Sequence, residues 1–130
     1  MAISAKEKLE GFFIHLELAY QEIGENMWLL SDEENGLNSV VVYVQDDLVT
    51  LRAKVMDMPA SDREAFFEEL LRLNAGMVHG AYALEDRNVI LIDSMELPTM
   101  DLEELQASLD STGLALAQHF STLAKYRTAT

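Results

Sequence analysis

Cysteine is absent from the 130-residue sequence, which excludes disulfides, thiolate nucleophiles and cysteine metal sites in one step. Histidine is scarce: His15, His79 and His119 are the only three. No G-x-S-x-G, H-E-x-x-H, Walker or G-x-G-x-x-G pattern accompanies them. Neither catalytic residues, a metal site nor a cofactor is expected. Cations are few as well. Nine Lys and Arg stand against 23 Asp and Glu, a formal net charge of -14, and such a field repels nucleic-acid phosphates and anionic lipid surfaces. No apolar run nears the ~20 residues of a membrane span, and residues 1–8 carry no signal-peptide core. The expectation is a cytoplasmic protein with no nucleic-acid partner and no membrane insertion. Proline occurs twice, and repeats, low-complexity tracts and linkers are missing, so residues 1–130 read as a single domain.

What is present is apolar side chain in patterned runs. At 49% hydrophobic, a chain of this length buries about two thirds of its unfolded surface. Ser4 is placed to cap a helix reaching about Tyr20, with Leu9, Phe12, Phe13, Leu16 and Tyr20 on one stripe. Gly11, Ile14 and Leu18 fall on the opposite side, about 140–200° round. That second face reads either as a docking surface for another chain or as stray exposed residues. Ile23–Leu30 follows as a first strand, then the acidic loop Ser31–Asn38, whose spacing does not fit a calcium loop.

Two strands come next. In Ser39–Gln45 both phases are apolar, Val40, Val42 and Val44 against Val41 and Tyr43, which marks a central or covered strand. Asp46 and Asp47 turn it into Leu48–Met56, where Thr50, Arg52 and Lys54 make one face wet. Ser61 and Glu64 form a capping box that starts a second helix. Its Phe66, Phe67, Leu70, Leu71 and Leu73 spread over about 160° at ~100° per residue. That arc fits a helix sunk deep in its own monomer or one shared across a dimer axis. Asn74 and Gly76 offer a left-handed exit from it.

The remaining stretch is a small-sided strand around His79–Glu85, with Ala81 and Ala83, and a strand Val89–Leu97 that is apolar on both faces. The small side chains make the former a candidate edge or interface strand. His79 and Asp93 lie on these neighbouring strands, a pairing that serves acid–base chemistry in a site and plain hydrogen bonding elsewhere. Thr99 caps a last long helix with apolar residues at three-four spacing from Leu102 to Leu123. The order α-β-β-β-α-β-β-α implies an α+β fold: a mostly antiparallel five-stranded sheet with helices packed on it.

The element order, the small acidic chain and the segment LLRLNAGMVHGAYALEDRNVILIDSMELPTMDLEELQASL together resemble the type III secretion chaperone-like superfamily. The likeness is to the YbjN-type domain in particular and, more distantly, to the CesT (Tir chaperone) class. It implies a binding protein: an acidic cytoplasmic homodimer that holds a client segment on apolar patches, or a YbjN-type regulator or scaffold with a folded partner. Carried onto this sequence, Gly11, Ile14 and Leu18 supply a partner-binding face. Phe66, Phe67, Leu70, Ala81 and Ala83 supply a dimer interface.

Overall fold

Ser4 opens the first helix by accepting the Glu7 backbone N–H on its hydroxyl at 3.1 Å, and α1 runs Ala5–His15. A computed structural model describes residues 3–127, the Asn35 side chain apart. Leu9 and Phe13 are the buried residues of α1. The helix stops well short of Tyr20, because Glu17 turns to φ 58° and the chain enters a strand not anticipated from the sequence. β1 (Ala19–Gly24) and β2 (Met27–Asp32) form a hairpin through Asn26, at φ 53°, where one strand Ile23–Leu30 was expected.

A 3-10 turn, Glu33–Asn35, ends on Gly36 in the left-handed region and leads into β3 (Leu37–Gln45). Asp46 and Asp47 both take positive φ, 52° and 63°, the type I′ geometry that matches the twist of a two-residue hairpin. β4 (Leu48–Asp57) returns along β3. The second helix, α2 (Arg63–Ala75), begins after Asp62 at φ 58° with no side-chain cap hydrogen bond, so the Ser61–Glu64 capping box does not form. Instead the Arg63 Nε–H donates to the Pro59 carbonyl at 2.9 Å.

Gly76 ends α2 at φ -96°, so the left-handed exit is absent there. The glycine that needs positive φ is Gly80, at +79°, where a Cβ would sit 3.0 Å from the Ile92 carbonyl oxygen. Asn74 does something else. Its Oδ1 accepts the Tyr82 N–H at 2.6 Å and its Nδ2 donates to the Tyr82 carbonyl at 3.3 Å. The carboxamide thereby stands in for a neighbouring strand at the outer edge of β5 (Ala81–Glu85). β6 (Asn88–Glu96) follows a turn at Asp86, and α3 (Leu102–Arg127) closes the chain. Its first turn is capped by Asp101, whose Oδ1 accepts the Glu104 N–H at 2.8 Å, rather than by Thr99.

The sheet is antiparallel throughout, in the order β1-β2-β3-β4-β6-β5. It has six strands where five were expected; the extra one is β1. Trp28, Leu30, Val40, Val42, Val49, Leu51, Val89 and Leu91 share one face and one buried cluster with Leu9 and Phe13 of α1, Phe66 and Leu70 of α2, and Leu105, Leu109 and Leu123 of α3. All three helices therefore cover the same side of the sheet. Trp28 locks α1 to β2, its indole N–H donating to Glu10 Oε2 at 2.8 Å and its ring meeting Phe13 edge-on at 5.8 Å.

Candidate protein-binding surfaces

The first predicted surface is only partly assembled. Gly11 and Ile14 lie on the open side of α1, and Ile14 is 65% exposed. Leu18 is past the helix end and packs, half-buried, against the core. The reason is the break at Glu17, which removes Leu18 from the helical wheel that had aligned it with Ile14.

The predicted dimer residues are distributed over two sides of the sheet. Phe66 is fully buried and Leu70 nearly so, with the Phe66 ring set edge-on to Tyr126 of α3 at 5.0 Å. These two residues hold α2 to its own monomer and do not face another copy. Phe67 is half-buried beside Phe66, ring centroids 5.8 Å apart. Ala81 and Ala83 pair with Ile92 and Ile90 on the side of the sheet away from the helices. The exposed apolar residues of this region are others: Leu71 on α2, Val78 in the loop after it, and Leu84 on β5.

That far side of the sheet is the surface sequence reasoning misjudged. Register places Gln21, Leu29, Val41, Arg52, Ile92 and Ala81 in one row across all six strands. A second row carries Met27, Tyr43, Thr50 and Ser94, and Lys54, Ile90 and Ala83 form a third. Met27, Leu29, Val41, Tyr43 and Ile92 are half-buried and lie outside the main buried cluster, Ile90, also outside it, is buried at 5% exposed, and no helix among the described residues packs on this side. The signal was present in the two-phase apolar pattern of β3 and β6, but that pattern was read as central or covered for β3, which is central, and as buried on both sides for β6. Antiparallel sheets commonly turn a polar face to water; this one turns an apolar face divided by a polar ridge. Arg52 and Lys54 stand on that ridge, paired with Glu85 and Asp57.

No group of three or more His, Asp or Glu among the described residues is placed to hold a metal ion. The anticipated His79–Asp93 couple is not made: the Asp93 carboxylate accepts from the Ser108 hydroxyl at 2.6 Å and from the Ser94 N–H at 2.9 Å. His119 is the histidine with a partner, its Nδ1 2.7 Å from the Tyr82 hydroxyl. Burial pushes the Tyr82 phenol from its ordinary 10.0 up to about 12. A phenol held protonated by folding contributes stability that is fully present below pH 10 and is lost as pH rises toward 12. Tyr82→Phe is therefore expected to flatten that part of the alkaline unfolding curve, and equal slopes for both proteins would refute it.

An antiparallel sheet with three helices on one face is the fold of the type III secretion chaperone-like α+β proteins. Within that class the chain belongs to the CesT_Tir_1 family, whose model matches residues 3–129. No curated protein matches the sequence. Among solved structures the fold is similar to YbjN from E. coli, at 12% identity and a TM-score of 0.70 over 93% of this chain and 96% of that one. A chain of the heterodimeric ExoU–SpcU complex from the type III secretion system of Pseudomonas aeruginosa is similar at 13% identity and 0.71, over 94% and 99%. So is a chain of the Yersinia pestis type III secretion chaperone SycH in complex with a stable fragment of YscM2, at 14% identity and 0.59, over 98% and 100%. At such identities the shared property is the fold.

Proposed function

We propose that this protein is a non-catalytic cytoplasmic chaperone that holds an apolar segment of a client protein across the bare outer face of its sheet. It works as a homodimer joined at the α2–β5 edge through Leu71, Val78 and Leu84. The observation that carries the reading is the apolar outer face built by the half-buried Leu29, Val41, Tyr43 and Ile92. Apolar surface bordered by polar residues marks a protein-interaction site, and each Å² covered by a client returns about 25 cal/mol. The net charge of -14 keeps such a surface soluble by self-repulsion and favours client segments flanked by lysine or arginine. Family membership supports the reading, as does similarity to a secretion chaperone seen with a bound protein fragment.

The test is affinity capture from native lysate with wild type and a Val41→Glu, Ile92→Glu double variant, read by mass spectrometry. Wild type is expected to retain one protein stoichiometrically and the variant to lose it, with the two thermal melts alike. Equal retention by both would remove the sheet face from the mechanism. Capture of nothing by either would end the dedicated-client reading.

A further inference from the structure

A cleft of about 1070 Å³ opens beside α3 at the place where two central strands part. One bank is the segment 33–38 leading into β3, the other is residues 54–55 of β4, and α3 forms the third wall. The β3–β4 ladder ends at Val40–Ala53, although β3 begins at Leu37 and β4 runs on to Asp57. Residues 37–39 and 54–57 are therefore strand on the two banks without being partners of one another. Their other sides stay in the sheet: Leu37 pairs with Asp32 of β2, and Lys54 and Met56 pair with Ile90 and Val89 of β6.

Two bulges accompany the parting. Between the Leu30–Val40 and Asp32–Leu37 pairs, Asn38 and Ser39 of β3 stand against Ser31 alone. Val55 of β4 is the extra residue between the Lys54–Ile90 and Met56–Val89 pairs. Each bulge bends its strand, and the two lie at the same level of neighbouring strands, so the sheet is notched there. Strand edges without a partner are a template for another extended chain. One acceptor in the notch is already taken by a side chain: the Arg127 guanidinium donates to the Val55 carbonyl at 2.9 Å while lying 5.2 Å over the Phe120 ring.

The side chains of the cleft specify what an added chain should carry. Leu114, Ala117 and Phe120 line the α3 wall at three-residue steps, and Leu114 is 58% and Phe120 57% exposed. Glu33, Glu34 and Asp110 also line the cleft and make no ion pair or side-chain hydrogen bond among the described residues. Lys54, by contrast, is paired with Asp57 at 2.7 Å. Strand edge, apolar wall and uncompensated negative charge thus meet in one place. A helix satisfies its N–H and C=O groups internally and would leave both edges unmet; a strand meets them. A second copy of this chain would bring the same three carboxylates against these, which like-charge repulsion opposes.

We propose that the notch is a strand-insertion site, separate from the outer sheet face, for an extended segment of a partner protein with alternating apolar side chains flanked by lysine or arginine. The two edges admit three or four residues of guest strand, about 10–14 Å at ~3.3 Å each. Because β3 and β4 are antiparallel, the guest runs parallel to one and antiparallel to the other. Every second side chain then faces Leu114 and Phe120.

A short designed peptide of alternating valine and threonine with lysines at both ends tests this against ¹⁵N-labelled full-length protein. Its controls are the same peptide with glutamate ends and the lysine peptide N-methylated on its central residues, which removes the backbone donors that strand addition uses. The lysine peptide is expected to shift amide resonances within residues 36–39, 54–57 and 113–120 and to slow amide exchange on both strand edges. It should bind at least tenfold tighter than either control, the margin over the glutamate peptide shrinking in high salt. Leu114→Asp should abolish the shifts while leaving the thermal melt unchanged. The Val41→Glu, Ile92→Glu variant should bind the peptide as wild type does, which keeps this site distinguishable from client capture on the outer face. Equal affinity for the N-methylated or the glutamate peptide, shifts on the outer face instead, or no shifts at millimolar peptide would each overturn the proposal. So would concentration-dependent shifts within residues 36–39 and 54–57 of the peptide-free protein, which would show a second copy filling the notch.

Discussion

Phe66→Ala is expected to lower the unfolding free energy by about 3–5 kcal/mol, the range for truncating a fully buried aromatic side chain. Phe66 is 0% exposed and its ring touches both Phe67 and Tyr126. The cavity would open between α2 and the last turn of α3, where neither helix can close on the other without dragging the strand each covers. Leu71, five residues on, is 69% exposed, and Leu71→Glu should leave the denaturation midpoint of the monomer almost unmoved. Its effect is on association: light scattering should show the proposed dimer becoming monomeric. A loss below about 1 kcal/mol for Phe66→Ala would contradict its place in the core, and a monomeric wild type would end the edge dimer.

Asn74→Ala is the second large effect, and it acts on backbone. The substitution deprives the Tyr82 N–H and C=O of their partners at the border of the sheet. An unmade hydrogen bond on a poorly hydrated group costs about 1–3 kcal/mol; water reaching the edge offsets part of two such losses, leaving about 2 kcal/mol. Amide exchange at Tyr82 should accelerate with it. Asn74→Asp keeps an acceptor for the shorter contact, at 2.6 Å, and loses the donor of the longer one, so its cost should fall between wild type and Asn74→Ala. Unchanged exchange at Tyr82 in Asn74→Ala would show that the edge is held by something else.

Where one side of an element is buried and the other wet, the sequence was a sufficient guide. The alternation in β4 and the Asp46–Asp47 turn were legible, because each follows from a period of two or from turn chemistry. β1 was not. Ala19–Gly24 is a mostly exposed edge strand, held by backbone pairing that leaves no hydrophobic pattern, and Leu16 and Tyr20 happen to continue the helical spacing of α1. The capping box failed for a related reason: Asp62 adopts a left-handed conformation that shifts the helix start past Ser61.

The candidate site was legible as a composition and not as a place. Val41, Tyr43, Ile90 and Ile92 were recognised as apolar, yet whether a second layer covers them depends on where three helices pack, and strand periodicity does not encode that. Likewise the broad apolar arc of α2 is explained by α3: Phe66 serves the contact with Tyr126, while Leu71 remains outside. On α3, Phe120 entered the predicted three-four stripe only as an alternative to His119 and Leu114 was left out of it, since that spacing does not mark which apolar side chains of a helix stay exposed.

The polar ridge of β4 sets a measure on the outer face. Val41 and Ile92 flank Arg52 on β3 and β6, two strand spacings or about 10 Å apart. A chain laid across the strands in the polyproline II form advances ~3.1 Å per residue and turns every third side chain to the same face, so it meets those two apolar positions three residues apart. The ridge thus acts as a ruler: a segment lying flat there needs apolar side chains at i and i+3 and a polar group between them that Arg52 can face. That is a rule for scanning candidate sequences, and it comes from the one strand of the face that is not apolar.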